Sequence, residues 1–279
     1  MSDDAAGPPL VAGVNGGEAA IRALDWAAAE ADAHGLRLRI VYAFSWPLYH
    51  SLPTGLPEFD VDALGRRIVH QAEQRVRHAR PGLETEAVHI TGDPGTVLLG
   101  ETRRASAVVL GSRGVRGLNA VLLGSVGLEV ASLGACPVVV VPDRAAPRAA
   151  GRIVVGVDGS DHARHALDWA LREAEVRGSV LRAVCVPRGT HPGADKDARE
   201  VLAAELAGPR AQHPGVVVEE STPEGHAARA LAASAEDADL LAVGSRGRGG
   251  FAGMLLGSVG QSLLAHSPVP VAVVHRRRG

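Results

Sequence analysis

Two stretches of this chain combine residue types that could hold phosphate. Gly111-Ser112-Arg113-Gly114 is followed, after nine residues, by Gly124-Ser125, and Gly244-Ser245-Arg246-Gly247 is followed at the same spacing by Gly257-Ser258. Glycines allow a ligand close to the backbone and tolerate positive φ. A helix that opens on Gly-Ser presents unpaired N–H groups, the positive end of its dipole and a hydroxyl. A glycine pair alone most often marks a turn; two copies at equal spacing, each between a strand and a helix, are far stronger.

Other chemistries fit less well. A Walker-type loop needs Lys after its second glycine, and the only lysine here is Lys196. A dinucleotide fingerprint would put GxGxxG after the first strand, which Gly13-Val14-Asn15-Gly16 and Gly156-Val157-Asp158-Gly159 do not match. His162 and His165 share a helix face without an evident third metal ligand. There is no GxSxG nucleophile elbow. Asp158 ends the first strand of the second half, where a carboxylate could accept ribose hydroxyls; its alternative role is to cap the turn before Gly159. Asp25-Trp26, Asp168-Trp169 and His266 read as packing, capping or surface residues.

Strands and helices alternate around these stretches. Hydrophobic runs predict strands over 10–15, 36–44, 84–91, 107–110 and 137–141, separated by helices over 18–34, 61–80, 93–105 and 125–133. Asp93-Pro94 is a cap followed by proline in the first turn. Residues 46–59, with three prolines and a glycine, read as a surface loop. The order then returns: strands 153–157, 180–186, 216–220, 240–243 and 271–274, helices 161–177, 196–206, 226–236 and 258–266. Matching segments (Val14-Asn15-Gly16 to Trp26, Val157-Asp158-Gly159 to Trp169) mark an internal duplication. The domains are therefore 1–142 and 152–279, joined by a linker at 143–151. Such alternation implies doubly wound parallel sheets, with ligands at the carboxyl ends of the strands where strand order reverses.

Composition narrows the partners. Hydrophobic residues make up 46% of the 279, but aromatics only 3%, so Ala, Val and Leu must fill both cores. A net charge of −2 with scattered basic residues argues against nucleic acid, and Arg276-Arg277-Arg278 reads as a solvated tail. Cys136 and Cys185 sit in apolar runs of different halves, as buried thiols rather than a disulfide framework. No apolar run reaches membrane-spanning length and the N-terminus lacks signal-peptide character, so a cytoplasmic protein without membrane partners is expected.

On these residues the chain resembles the tandem form of the universal stress proteins. The pattern G-x2-G-x9-G-[ST] is met twice, Val155 to Ser160 looks like the family's opening strand, and Cys136-Pro137-Val138 like its closing one. The resemblance implies two α/β domains, each with a five-stranded parallel sheet in order 3-2-1-4-5, binding ATP with or without Mg2+. It implies that Asp158 holds ribose, that Gly156 and Val186 line the adenine pocket, and that Val243, Gly244 and Gly247 contact the nucleotide. Gly257, Ser258 and Val259 would hold the phosphates. The first-half counterparts are Gly13, Asn15, Ala43, Leu110, Gly111, Gly114, Gly124, Ser125 and Val126. The family also pairs domains through the final strand, here 138–141 with 271–274, and a homodimer stays open.

The first half departs from the pattern. Asn15 replaces the usual Asp, Gly17 the usual Ser or Thr, and Ser106 stands where the second half has Asp239. Asn lacks the charge-assisted strength of a carboxylate, so the second half is expected to bind ATP more tightly. The function implied is a nucleotide-dependent regulatory or signalling module rather than an enzyme. The alternatives are a weak ATP hydrolase and a nucleotide-free scaffold.

Overall fold

The structure, a computed structural model, describes residues 7–44, 61–114, 121–122, 124–143, 150–189, 191–248 and 255–276. The loop predicted over 46–59, most of the linker and Arg277-Arg278 of the basic tail lie outside the described residues.

In the first half β1 (Leu10–Val14), α1 (Glu18–Ala33), β2 (Leu38–Phe44), α2 (Val61–Ala79), β3 (Thr85–Thr91), α3 (Pro94–Glu101) and β4 (Ala107–Gly111) follow in turn. A short hairpin, β5 (Arg113–Gly114) and β6 (Val121–Leu122), precedes α4 (Ser125–Leu133) and β7 (Val138–Val141). The second half runs β8 (Arg152–Gly156), α5 (Asp161–Arg177), β9 (Val180–Val184), α6 (Ala194–Gln212) and β10 (Val218–Ser221). It closes with α7 (Ala227–Ser234), β11 (Leu240–Gly244), α8 (Ser258–His266) and β12 (Val271–Val274).

The order β3-β2-β1-β4-β7 in the first half repeats as β10-β9-β8-β11-β12 in the second, all parallel within each half. This is the 3-2-1-4-5 order expected. β7 and β12 then pair antiparallel, Val138 opposite Val273 and Val140 opposite Val271, which joins both halves in one ten-stranded sheet. Both strands are buried along their whole length, and each covers an apolar edge that would otherwise invite another chain.

Because a strand's side chains alternate, the sheet feeds two cores. Val109, Val139, Val155 and Ala272 face a layer built by α1, α2, α5 and α6. Val108, Val138, Leu241 and Val273 face the layer of α3, α4, α7 and α8. Leu24, Leu167, Leu171, Leu202 and Leu206 are almost wholly buried in the first layer, supplying the volume that scarce aromatics do not. Truncating one of them to Ala would be destabilising by roughly 2–5 kcal/mol.

A four-residue ionic cluster links the halves at α1 and α5. Glu30 in α1 and His34 at its C-cap hold the positions equivalent to Glu173 and Arg177 of α5. His34 Nε2 lies 2.9 Å from Glu30 Oε1 and 3.0 Å from Glu173 Oε2, and Arg177 pairs with both carboxylates. Hydrogen bonds to Glu173 and Glu30 outweigh burial and raise the His34 pKa to about 10. The Glu30, His34 and Glu173 ligand atoms lie within 4.8 Å of one another, but two cations already balance the two carboxylates.

Most boundaries shift by one or two residues from the sequence-based expectation, and three differences are larger. α6 runs to Gln212 through exposed Gly208 and through Pro209, where residues 196–206 were expected. Proline near a helix end removes one backbone hydrogen bond and keeps a helical φ, so buried Leu202 and Leu206 carry the helix onward. α3 stops at Glu101, short of residue 105, with Thr102 Oγ1 donating to Leu99 O. The β5–β6 hairpin inside the first glycine stretch was not foreseen; runs of two residues carry no periodic signal.

Candidate functional site

In each half the strand ends meet the glycine stretch where strand order reverses, between β1 and β4 or between β8 and β11. The first glycine of each motif is set by packing. A Cβ on Gly244 would stand 2.6 Å from the backbone carbon of His162, and one on Gly111 2.3 Å from Ala19 O. These glycines let α5 and α1 lie against the strand ends, bringing the helix starts to the site.

Gly257 is different. It is the N-cap of α8, with φ −66°, and among the described residues a Cβ built there meets nothing nearer than 3.6 Å. Neither these contacts nor the backbone conformation demands glycine, and Gly257 lines a cavity of about 480 Å³. The wall of that cavity includes Gly156, Asp158, Val186, Val243, Gly244, Gly247, Gly257, Ser258 and Val259, the full set expected for the second half. It also includes Arg188, Arg246, Arg248, Leu231 and Gly260, which the spacing pattern did not single out. Arg246 stands inside the motif, and an arginine there was the one legible hint.

Asp158 ties the glycine stretch to the β8–α5 turn. Its Oδ1 accepts the Ser160 N–H at 3.0 Å, its Oδ2 accepts the Arg248 N–H at 2.9 Å, and Arg188 Nη2 lies 3.6 Å away. Burial works against its charge, but the hydrogen bonds from Ser160 and Arg248, with the Arg188 guanidinium, hold its pKa below the ordinary value. The carboxylate is thus a persistent acceptor and a poor base. Arg248 Nη2 also donates to Gly159 O at 3.1 Å, over a turn whose glycine has φ +74°. His162, behind Gly244, is held below its ordinary pKa first by burial and then by Arg246.

The first half builds a smaller version. Gly13, Asn15, Ala43, Leu110, Gly111, Gly124 and Val126 line a cavity of about 150 Å³. Gly114 pairs with Val121 in the hairpin, and Ser125 is exposed at the first turn of α4 and is not among the described lining residues. Leu110 Cδ2 is 2.5 Å from the place of a Cβ on Gly13. At the equivalent Gly156 the nearest atoms, from Leu231 and Val243, are 3.2 Å away. Asn15 Oδ1 accepts the Gly17 N–H at 2.9 Å, as Asp158 does with Ser160. Gly17 gives α1 no side-chain cap, whereas Ser160 Oγ caps α5 by accepting the Ala163 N–H. The Ser106/Asp239 difference lies at the opposite strand ends, away from both cavities. There Asp239 accepts the N–H groups of Ala150, Gly151 and Arg152, and Ser106 Oγ donates to Pro9 O.

A cavity of about 580 Å³ also lies between the halves, against Trp26 and Pro268. Its charged residues already have partners: Arg22 with Asp143, Asp25 with Arg75, Arg80 with Asp32. Arg177 stacks 5.5 Å over Trp26. It is the largest of the three cavities, and these charged groups are already paired within the protein. Cys136 and Cys185 are buried thiols outside any disulfide. His266 Nδ1 sits 2.9 Å from Ser262 O near the end of α8, a surface position.

Fold and site together define a duplicated doubly wound α/β protein with a ligand-sized cavity at the switch point. Comparison with known proteins agrees: the profile of the Universal stress protein family matches residues 8–142 and again 150–275. A universal stress protein of Mycolicibacterium smegmatis is 32% identical over 287 residues, covering 96% of this chain and 97% of its own. One from Mycobacterium tuberculosis is 33% identical over 288 residues, covering 94% and 95%. The crystal structure of a universal stress protein from Archaeoglobus fulgidus superposes with a TM-score of 0.73 at 24% identity, covering 97% of this chain and 98% of that one. The chain belongs to the universal stress protein family. Among the described residues, no helix is long and apolar enough to cross a membrane.

Proposed function

We propose that the second half binds ATP and that the protein is a cytoplasmic, nucleotide-dependent regulatory module of the stress response. The observation that carries this is Gly257, a glycine that no contact among the described residues requires, at a helix start lining a cavity of about 480 Å³. That volume lies within the roughly 300–1,000 Å³ usual for small-molecule sites. Adenine fits against Val186, Val243 and Leu231, and Asp158 accepts ribose hydroxyls. The phosphates meet the uncapped start of α8 at Gly257, Ser258 and Val259, beside Gly247. Arg188, Arg246 and Arg248 add positive charge to the wall, which favours a polyphosphate over a neutral nucleoside.

Binding rather than turnover is favoured because Asp158 is the sole carboxylate on the described wall and is held ionised by its donors. Mg2+ would arrive with the phosphates, since one carboxylate makes no protein-built cage for it. The first half, with Asn15 for Asp158 and less room, is the weaker nucleotide site.

The direct test identifies any co-purifying nucleotide by mass spectrometry and absorbance, then titrates ATP into the unaltered chain and into Gly257→Leu. Bound ATP that disappears in the variant supports the proposal. Absence of nucleotide, with no heat at millimolar ATP, would leave a scaffold whose glycine stretches are turns.

A further inference from the structure

The charged cluster between the halves stands apart from both strand-end cavities. Glu30 and Glu173 are buried carboxylates, one from each half, and the His34 ring lies between them. One ligand atom from each of the three lies within 4.8 Å of the other two. His34 Nε2 is 2.9 Å from Glu30 Oε1 and 3.0 Å from Glu173 Oε2. Ligand atoms about 2.0–2.1 Å from a tetrahedral Zn2+ stand roughly 3.3–3.4 Å apart. Shifts of a few tenths of an ångström therefore make room for the ion.

The carboxylate oxygens are already divided between two tasks. Arg177 Nη2 pairs with Glu30 Oε2, the oxygen that His34 does not use, and Arg177 Nε stands 3.6 Å from Glu173 Oε2. Arg177 thus orients Glu30 from outside and leaves Oε1 turned to the imidazole, as outer partners do at metal sites. His34 is the C-cap of α1 and Arg177 the last residue of α5, so the negative ends of two helix dipoles meet at the cluster and favour a cation. Glu30 and Arg177 also line the cavity of about 580 Å³, which supplies an entry path and room for a water ligand. One imidazole with two carboxylates suits Zn2+ better than Mg2+, which takes oxygen ligands and gives up water reluctantly.

We propose that Glu30, His34 and Glu173 bind Zn2+, with one position left for water, and that the ion clamps α1 of the first half to α5 of the second. The ion takes the place of the His34 proton, which otherwise bridges the two carboxylates, and one proton leaves for each ion bound. Neither strand-end cavity takes part, so this site and nucleotide binding can each fail alone.

The test uses the full chain, stripped with EDTA and dialysed. Zn2+ is titrated by calorimetry near neutral pH, with Mg2+ in a parallel arm, and melting is followed with and without Zn2+. One Zn2+ per chain is expected, bound at least about a hundredfold more tightly than Mg2+ and raising the melting temperature. His34→Gln removes a ligand, so it should weaken Zn2+ at least about a hundredfold and abolish the rise. Arg177→Gln disturbs the same ion pairs but keeps all three ligands, and should change the affinity by no more than about tenfold. That contrast separates a lost ligand from a loosened cluster. His162→Gln, at the close pair with His165, should change nothing. Absence of Zn2+ binding, binding that survives His34→Gln, equal loss in His34→Gln and Arg177→Gln, or loss in His162→Gln would each overturn the proposal.

Discussion

The two halves share a motif, a strand order and a switch point, yet their cavities measure about 480 Å³ and about 150 Å³. Identical spacing of glycines therefore does not make identical sites. Gly111 and Gly244 serve packing in both halves, so the repeat preserves them whatever is bound. The described walls differ in residues beside the glycines and on neighbouring strands: Leu110 against Val243 and Asn15 against Asp158.

The hardest blow to this asymmetry should come from Gly257→Leu. We expect ATP affinity to fall at least about a hundredfold, or about 2.8 kcal/mol, measured by calorimetry, while Gly124→Leu changes it little. Equal losses from both would mean that the halves bind alike.

Asp158→Asn should weaken ATP by roughly tenfold, through loss of a charge-assisted acceptor. The converse change sharpens the comparison. Asn15→Asp combined with Leu110→Val should let the first half take up ATP in a Gly257→Leu background. If equilibrium dialysis shows none, the difference between the cavities has another origin.

Arg246→Gln should weaken ATP severalfold, on the order of 1 kcal/mol, and leave adenosine binding unchanged. Added salt should narrow the gap between the two chains, because the lost interaction is electrostatic. An equal loss for adenosine would place Arg246 in shaping the pocket rather than in meeting phosphate.

The smallest effect concerns the cluster between the halves, where His34 and Arg177 hold equivalent positions. The folded pKa of His34, about 10, lies above the ordinary 6.5. Its contribution to stability is therefore full below pH 6.5 and declines as pH rises towards 10. Melting temperature should fall across that interval, and His34→Gln should flatten the slope. An unchanged slope would assign the pH dependence to other groups.

Much was legible in the chain itself. Strand–helix alternation, the duplicated Ala-Leu-Asp-Trp segment and the paired glycine motifs marked two parallel α/β halves and the strand ends where a ligand belongs, since local periodicity and turn chemistry are written in neighbouring residues. Residues 46–59 and most of the linker lie outside the described residues. Tertiary structure decided what depends on distant residues meeting. Leu110 reaches over Gly13 because β4 lies beside β1. The Arg248 N–H finds Asp158 across 90 positions, and His34 finds Glu173 across 139. No spacing rule encodes such contacts, because parallel pairing within each half and the antiparallel β7–β12 seam between them set the distances. The chain alone determined where two sites would form; packing around them decided how different they became.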